Sequence, residues 1–173
     1  MSRWIGPIAV AIIAGLGGWY LTLAATPQFI MGKAWERLSQ QAGINTMAHT
    51  PLVTAERQTI VRPSPDLAYS ICAFDLSQGP IVIMASPVPD HYWSLTVFDH
   101  ETNVAFVESD RDSKGAPIRI VLATAAQSVP KGVRRITLPD AKGVALIRVL
   151  LKARAEFPQI EQFRGKSYCR PLR

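Results

Sequence analysis

The three histidines are the first residues to test for chemistry, because imidazole is both a common metal ligand and a common general base. None of them has the i, i+4 helical spacing of a zinc protease site or stands beside a cysteine pair; they are His49, His91 and His100. Asp90-His91 and Asp99-His100-Glu101 bracket one predicted strand, which separates them by roughly 30 Å. The sequence therefore predicts no metal site, no cofactor and no catalytic residue.

Nucleophile and phosphate-binding motifs give no support for an enzyme either. The sequence has no G-x-S-x-G elbow and no G-x-x-x-x-G-K-[ST] loop. Hydrolase and nucleotide-binding functions consequently have no positive evidence in the sequence.

The two cysteines, Cys72 and Cys169, are an even number, which permits one disulfide in an exported domain. This bridge would tie the C-terminal tail to the first predicted hairpin and would stabilise the fold by about 4 kcal/mol in the chain-entropy model. The alternative is that Cys72 is a small buried side chain in an apolar strand. Labelling of two free thiols under denaturing, non-reducing conditions would exclude the bridge.

The net charge of +6 is unevenly distributed along the chain. Residues 1–130 carry 8 Lys or Arg against 10 Asp or Glu, whereas residues 131–173 carry 11 against 3. This basic end is interpreted first as a solvated face, and alternatively as a surface for anionic headgroups or an acidic partner. No recognition module accompanies the charge, so we expect no nucleic-acid partner.

The N-terminal segment is predicted to be a membrane anchor over residues 1–27. There is no charged residue from Trp4 to Met31, and Ile5 to Ala25 is long enough for a helix to cross a bilayer core. Because Arg3 precedes the apolar run, the N-terminus is expected in the cytoplasm. The alternative is a cleaved signal peptide, whose apolar region would be longer than the usual one. Both hypotheses export the rest of the chain, most simply to a bacterial periplasm from a single-pass inner-membrane anchor.

Residues 28–58 are predicted to form a juxtamembrane helix followed by a connector. Apolar side chains recur at roughly helical spacing over residues 28–42, and Gly43-Ile44-Asn45 has the residue types of a helix end. The connector is expected to contain one extended piece at Gln58–Val61.

Residues 59–173 are predicted to form an antiparallel β-sandwich of jelly-roll type, which with the N-terminal helix makes a mainly β protein. Short apolar runs alternate with Gly, Pro, Asp and Ser. In the third strand, alternation places Trp93, Leu95 and Val97 on the core face. A short helix is expected over Lys152–Phe163, interrupted near Pro158. The expected strands are Ala68–Phe74, Ile81–Ser86, His91–Phe98, Asn103–Ser109, Pro117–Thr124, Val133–Leu138 and Val144–Leu151.

A series of polar and turn residues in this domain resembles a known family. The elements are Asp66-x-x-Tyr69-Ser70, Asp75-Leu76 with Gly79-Pro80, Pro89-Asp90 with Tyr92-x-Ser94, and Asp99-x-x-Thr102-Asn103-Val104. Their order and spacing resemble the bacterial domain of unknown function 1254 family over Ile60–Leu151. The resemblance implies a β-sandwich without an established reaction, often followed by a domain of the unknown function 1214 family. It also implies a partner: a separate membrane-linked polypeptide that carries the companion domain.

The residues that coincide with the family pattern are the candidates for a ligand site: Tyr69, Asp75, Tyr92, Asp99, Thr102 and Asn103. The structural alternative is that the tyrosines pack in the sandwich while Asp and Asn fix turns. A pocket lined by Tyr69, Tyr92, Asp99 and Asn103 would favour a small enzyme or ligand receptor completed by a partner domain. Without such a pocket, the expected function is an envelope-anchored binding or assembly module rather than an enzyme.

Overall fold

The computed structural model describes residues 2–54 and 63–172, so the extended piece predicted at Gln58–Val61 lies outside the described residues. The described part consists of one long N-terminal helix, two β-sheets and two short helices. The helices are α1 (Ile5–Ala42), α2 (Asp110–Ser113) and α3 (Phe157–Arg164). The strands are β1 (Ala48–His49), β2 (Leu67–Asp75), β3 (Ile81–Ala85), β4 (Trp93–Phe98), β5 (Val104–Ser109), β6 (Ile118–Thr124), β7 (Arg135–Leu138), β8 (Lys142–Leu150) and β9 (Tyr168–Pro171).

The first sheet has the strand order β1-β2-β8-β4-β5, and all its pairs are antiparallel. The second sheet has the order β7-β6-β3-β9. Here β7 runs parallel to β6, with Val121 opposite Arg135, so the expectation of a wholly antiparallel fold is wrong at this pair. The chain leaves β6 at Thr124 and returns through an irregular loop before β7 begins, which makes the parallel pairing accessible. The predicted jelly-roll connectivity is not confirmed by this strand order.

The core contains apolar side chains from both sheets. Trp93, Leu95 and Val97 are at most 1% exposed, which confirms the core face predicted for the third strand. They belong to one cluster with Ile83 of β3 and Ile120 of β6. The two sheets therefore bury their apolar faces in a common core.

The C-terminal part differs from the sequence-based expectation in two ways. Helix α3 begins at Phe157, so Pro158 lies in its first turn rather than interrupting it. Proline is tolerated there because the first amide groups of a helix have no partner within the helix. The final strand β9, which pairs with β3 and carries Cys169, was not predicted, since a strand of four residues is too short to show an alternating pattern.

Helix α1 is 38 residues long and continues without interruption past the predicted boundary between residues 27 and 28. Pro27 lies inside it. The helix is long and apolar enough to cross a membrane. Its last third packs on the first sheet, where Met31 is only 8% exposed.

Candidate functional site

The Asp99 turn, residues 99–103, joins β4 to β5 and contains three of the predicted site residues. The Asp99 carboxylate accepts the backbone N–H of Glu101 at 2.9 Å and of Asn103 at 2.8 Å. Its other oxygen accepts the Asn103 side-chain amide at 3.0 Å. Thr102 has a φ of +69°, the left-handed conformation that this tight turn requires. These contacts occupy the Asp99 carboxylate within its own turn.

Asp75 is the last residue of β2, and its side chain also hydrogen-bonds to nearby backbone. Its carboxylate accepts the N–H of Ser77 at 2.8 Å and fixes the turn into β3. The backbone N–H and C=O of Asp75 bind the Asn45 side chain at 2.8 and 2.9 Å. Asp75 thus joins the end of β2 to the segment that follows α1.

The two tyrosines lie far from these turns. The Tyr69 hydroxyl accepts the backbone N–H of Ser64 at 3.0 Å, while Tyr92 is 41% exposed just before β4. Seven residues of extended chain separate Tyr92 from Asp99, which corresponds to roughly 23 Å. The structure therefore brings Asp75 and the Asp99 turn to one end of the first sheet and leaves the tyrosines towards the other, so the six residues do not line one pocket.

Helix α1 crosses the strand ends at the Asp99 turn. Gln28 donates its side-chain amide to Glu101 at 2.8 Å. Two turns later, the Trp35 indole N–H donates to the Phe74 carbonyl at 2.9 Å, and the Lys142 ammonium lies 4.5 Å from the centre of the Trp35 ring. The helix thus contacts the β4–β5 turn at Gln28 and the ends of β8 and β2 at Trp35.

The dimensions agree with a helix that runs across the strands rather than along them. From Gln28 to Ala42 the helix rises roughly 21 Å, and five strands spaced by about 4.8 Å span roughly 19 Å. The chain then enters β1, which pairs with β2 at the far edge of the first sheet. Helix α1 therefore passes from the β5 edge to the β1 edge.

Two residues that the sequence analysis did not select hold elements together. The Arg164 guanidinium is 1% exposed, donates to the Thr50 carbonyl at 2.9 Å and also contacts the Tyr69 carbonyl and Glu161. Next to it, burial and then the Arg164 charge lower the pKa of His49, whose ring bonds the Ser70 hydroxyl at 2.9 Å. The sequence signal that could have identified Arg164 was its position in the last turn of α3, one turn after the apolar Ile160.

A distal cleft of 490 Å³ lies at the end of the first sheet away from the Asp99 turn. We define it by Pro87–Trp93, Asp110, Arg111 and Gly115. The His91 imidazole bonds Glu156 at 3.1 Å, and this bond is the main cause that lowers the pKa of the Glu156 carboxyl. One buried Asp110 carboxylate oxygen has no hydrogen-bond partner among the described residues.

A basic groove of 470 Å³ lies on the outer face of the second sheet. We define it by Val82, Arg119, Arg170, Pro171 and Leu172. Val82 is 3% exposed although it lies outside the common core. Both arginines are exposed, and within the described ranges neither has a carboxylate within 4.0 Å. The groove thus offers cationic side chains beside apolar ones.

A cluster of metal ligands is not found in the part of the chain that the structure describes. No group of three His, Cys, Asp or Glu side chains there is placed to hold a metal ion. Ser128 and Lys131 have S-x-x-K spacing, but both are exposed on an irregular loop, which does not hold the lysine against the serine.

The disulfide joins the two sheets. Cys72 of β2 and Cys169 of β9 are bonded, with their Cα atoms 6.4 Å apart. Because β2 and β9 belong to different sheets, the bridge crosses the core.

The comparisons with known proteins concern the family and the fold. A family model described as "Protein of unknown function (DUF1254)" matches residues 44–171. The VPA0106 protein from Vibrio parahaemolyticus is similar in structure, with a TM-score of 0.61 and 14% sequence identity over 86% of this chain. A putative uncharacterized protein from Burkholderia cenocepacia has a TM-score of 0.47 and 12% identity, covering 65% of this chain and 34% of its own. No curated protein matches the sequence significantly.

The solved structures are longer than the matched region. This chain spans 38% of the Vibrio protein. At 14% identity the likeness to that protein shows the fold alone.

Proposed function

The chain belongs to the DUF1254 family of proteins of unknown function, and we propose that it is a membrane-anchored module that binds an acidic protein partner. The observation that carries the proposal is the basic groove, where the exposed Arg119 and Arg170 lie beside the apolar Pro171 and Leu172. Exposed arginines next to apolar surface are the residue types enriched in protein interfaces. A partner that supplies carboxylates would pair with both guanidinium groups.

The anchor in this proposal is α1. Its apolar residues cross a bacterial inner membrane once, with the N-terminus in the cytoplasm and the sheets in the periplasm. The support is the position of Arg3 before the apolar run and of Lys33 as the first charge after it. The bonds of Gln28 and Trp35 to the first sheet hold the domain close to this span.

The expected partner is a polypeptide that carries the companion domain implied by the family resemblance. The Vibrio protein supports a further domain as the type of partner, since the fold matched here accounts for 38% of its chain.

Purification of the tagged full-length chain from native membranes tests this proposal. We expect one acidic protein to co-purify in stoichiometric amount with the natural sequence. The double variant Arg119→Glu/Arg170→Glu should lose it, whereas Lys152→Glu/Lys166→Glu, which makes the same charge change at exposed sites outside the groove, should retain it. A clean monomer from cross-linked native membranes, or equal loss in both variants, contradicts the proposal.

The second candidate function is a ligand receptor, or a small enzyme completed by a partner domain, at the distal cleft. The unpartnered Asp110 oxygen favours it, because a buried acceptor without a donor costs free energy that a ligand N–H or O–H would recover. Ethanolamine and glycerol are suitable probes of the amine and polyol classes. The receptor hypothesis is supported if either probe raises the melting temperature and Asp110→Ala abolishes the rise. It is contradicted if neither probe changes the melting temperature.

A further inference from the structure

The β5–β7 edge, residues 104–109 and 131–138, is the part of the sandwich next to the membrane end of α1. The apolar run ends near Ala25, and Gln28 stands only about 4.5 Å further along the helix axis. Its bond to Glu101 therefore places the turn into β5 within the headgroup layer, which is roughly 5 to 7 Å thick on each side of the hydrocarbon.

The β5 edge of the first sheet and the β7 edge of the second sheet lie on the same side of the sandwich, towards the membrane. Helix α1 leaves the membrane and crosses from the β5 edge to the β1 edge, so the first sheet stands on its β5 edge. In the second sheet, Arg134 next to β7 pairs with Glu108 of β5 and lies 5.0 Å from the centre of the Phe106 ring. The strand β7 is consequently beside β5, while the disulfide holds β9 near β2.

The side chains on this edge are those of a membrane-binding surface. Among the described residues of the sandwich, five large apolar side chains are exposed, and three of them, Val104 at 54%, Val107 at 60% and Val133 at 38%, lie on the β5–β7 edge. Lys131 and Arg135 are exposed on the second-sheet side of the same edge, and Arg135 also donates to the Thr124 carbonyl. The only carboxylate of β5, Glu108, is neutralised by Arg134.

We propose that the β5–β7 edge rests on the anionic surface of the bilayer in which α1 is anchored. The valines enter the interfacial layer, where burial of apolar area is favourable. Lys131 and Arg135 contact lipid phosphates, each contributing an attraction that salt screens. The outward backbone groups of edge strand β5 are hydrated or bonded by headgroups, which also prevents this edge from pairing with another strand. This inference rests on the proposed membrane anchor and is independent of the proposed protein partner, which binds at the basic groove.

Spin labels introduced as an unnatural amino acid at positions 107 and 133 of the full-length chain test the contact. The matched control is a label at position 150, because Leu150 is 41% exposed at the end of β8 and does not belong to the edge. In proteoliposomes that contain phosphatidylglycerol, accessibility to an aqueous nickel complex should be about threefold lower at 107 and 133 than at 150, as expected for labels in the headgroup layer. Accessibility to lipid-dissolved oxygen should be correspondingly higher.

Charge variants separate the edge from the rest of the surface. Lys131→Glu/Arg135→Glu should return both labels to aqueous accessibility, and phosphatidylcholine vesicles should have the same effect on the natural sequence. Lys152→Glu/Lys166→Glu should leave the labels shielded. Equal aqueous accessibility at 107, 133 and 150 overturns the proposal. Dipolar broadening between copies labelled at 107 overturns it as well, because it would show that a second chain covers the edge.

Discussion

At the scale of single residues, the polar side chains that mark the family pattern stabilise turns. Asp99 accepts two backbone N–H groups and one side-chain amide within five residues while being only 5% exposed. Local donors thus take three of the roughly four acceptor positions of this carboxylate. The pattern is thus explained by the geometry of the β4–β5 turn and its contact with α1.

Replacing Asp99 by alanine should destabilise the protein by about 2 kcal/mol, because it leaves three part-buried donors of the turn without their charged acceptor. The measurement is denaturant unfolding of the full-length chain in detergent. Asp66→Ala is the control, since Asp66 is exposed, and it should have little effect. A stable Asp99→Ala variant that loses partner binding would instead assign the residue to a functional site.

The pKa of His49 provides a pH-dependent test of packing between α3 and the first sheet. Because burial and Arg164 lower this pKa from 6.5, the unfolded chain takes up the proton more readily than the folded chain. The free energy of unfolding should consequently fall as the pH decreases below about 6.5. His49→Gln should flatten this dependence between about pH 7 and pH 5, a range above that in which carboxyl groups titrate.

The matched variant for this measurement is Ser70→Ala. It removes the hydroxyl bonded to His49 but keeps the buried imidazole beside Arg164. Ser70→Ala should therefore lower stability at every pH and retain most of the slope. If the slope is equal in the natural sequence and His49→Gln, another group is responsible.

At the scale of secondary-structure elements, the central strand β8 fits closely between its neighbours at Gly143. A Cβ atom at this position would lie 2.5 Å from Cζ of Phe74 and would also clash with the Phe98 carbonyl. The first sheet therefore requires a residue without a side chain where β2, β8 and β4 meet.

Substitution of Gly143 by alanine should cost about 3 kcal/mol or more, because the Phe98 carbonyl and the buried Phe74 ring must both move to accommodate one methyl group. Thermal unfolding of the full-length chain measures the effect. Gly15→Ala, a position with no atom within 4 Å of the added Cβ, should not lower the melting temperature. Equal melting temperatures for Gly143→Ala and the natural sequence would contradict the close packing.

The elements also show what could be predicted from the sequence. Alternation identified the Trp93, Leu95 and Val97 face because side chains along a strand point to opposite faces in turn. It did not indicate that Ser94 and Thr96 on the other face are buried too. The same signal does not specify pairing, so the parallel contact of β7 with β6 was missed. Strand β9 was missed since the four residues Tyr168–Pro171 are too short for a periodic pattern and depend on β3 for their hydrogen bonds.

The candidate site was less accessible to sequence analysis than the core. The resemblance selected six residues but carried no information on their separation, and Tyr92 and Asp99 belong to opposite ends of β4. Trp35 was interpreted only as part of an apolar stripe, although its indole N–H needs an acceptor when it is half-buried. That acceptor is the Phe74 carbonyl, which no local pattern indicates because 39 residues separate the two.

At the scale of the whole molecule, the fold is closed by contacts between residues distant in sequence. Trp35 binds the end of β2 and Gln28 binds the β4–β5 turn. The disulfide then connects β2 to β9 across 97 residues. The disulfide thus adds to the common core and to the Arg134–Glu108 pair, which already join the two sheets, and its loss should loosen the joint between them.

Reduction of the disulfide tests how much it contributes to the joint between the sheets. Removing a crosslink that closes so long a loop should lower the free energy of unfolding by about 4 to 5 kcal/mol in the chain-entropy model. The experiment compares denaturant unfolding of the full-length chain with and without dithiothreitol. Cys72→Ala/Cys169→Ala is the control, since it should match the reduced protein and be insensitive to dithiothreitol.

The effect should also be specific to the joint between the sheets. Spin labels at the exposed positions 119 and 107 report on the second and first sheet respectively, and the distribution of their separation should become broader after reduction in mild denaturant, because β9 no longer holds β3 near β2. The hydrogen bond from Trp35 to Phe74 should persist under the same conditions, since it joins α1 to the first sheet and does not involve β9. If reduction leaves both stability and the label distance unchanged, the common core alone holds the two sheets together and the covalent link has no mechanical role.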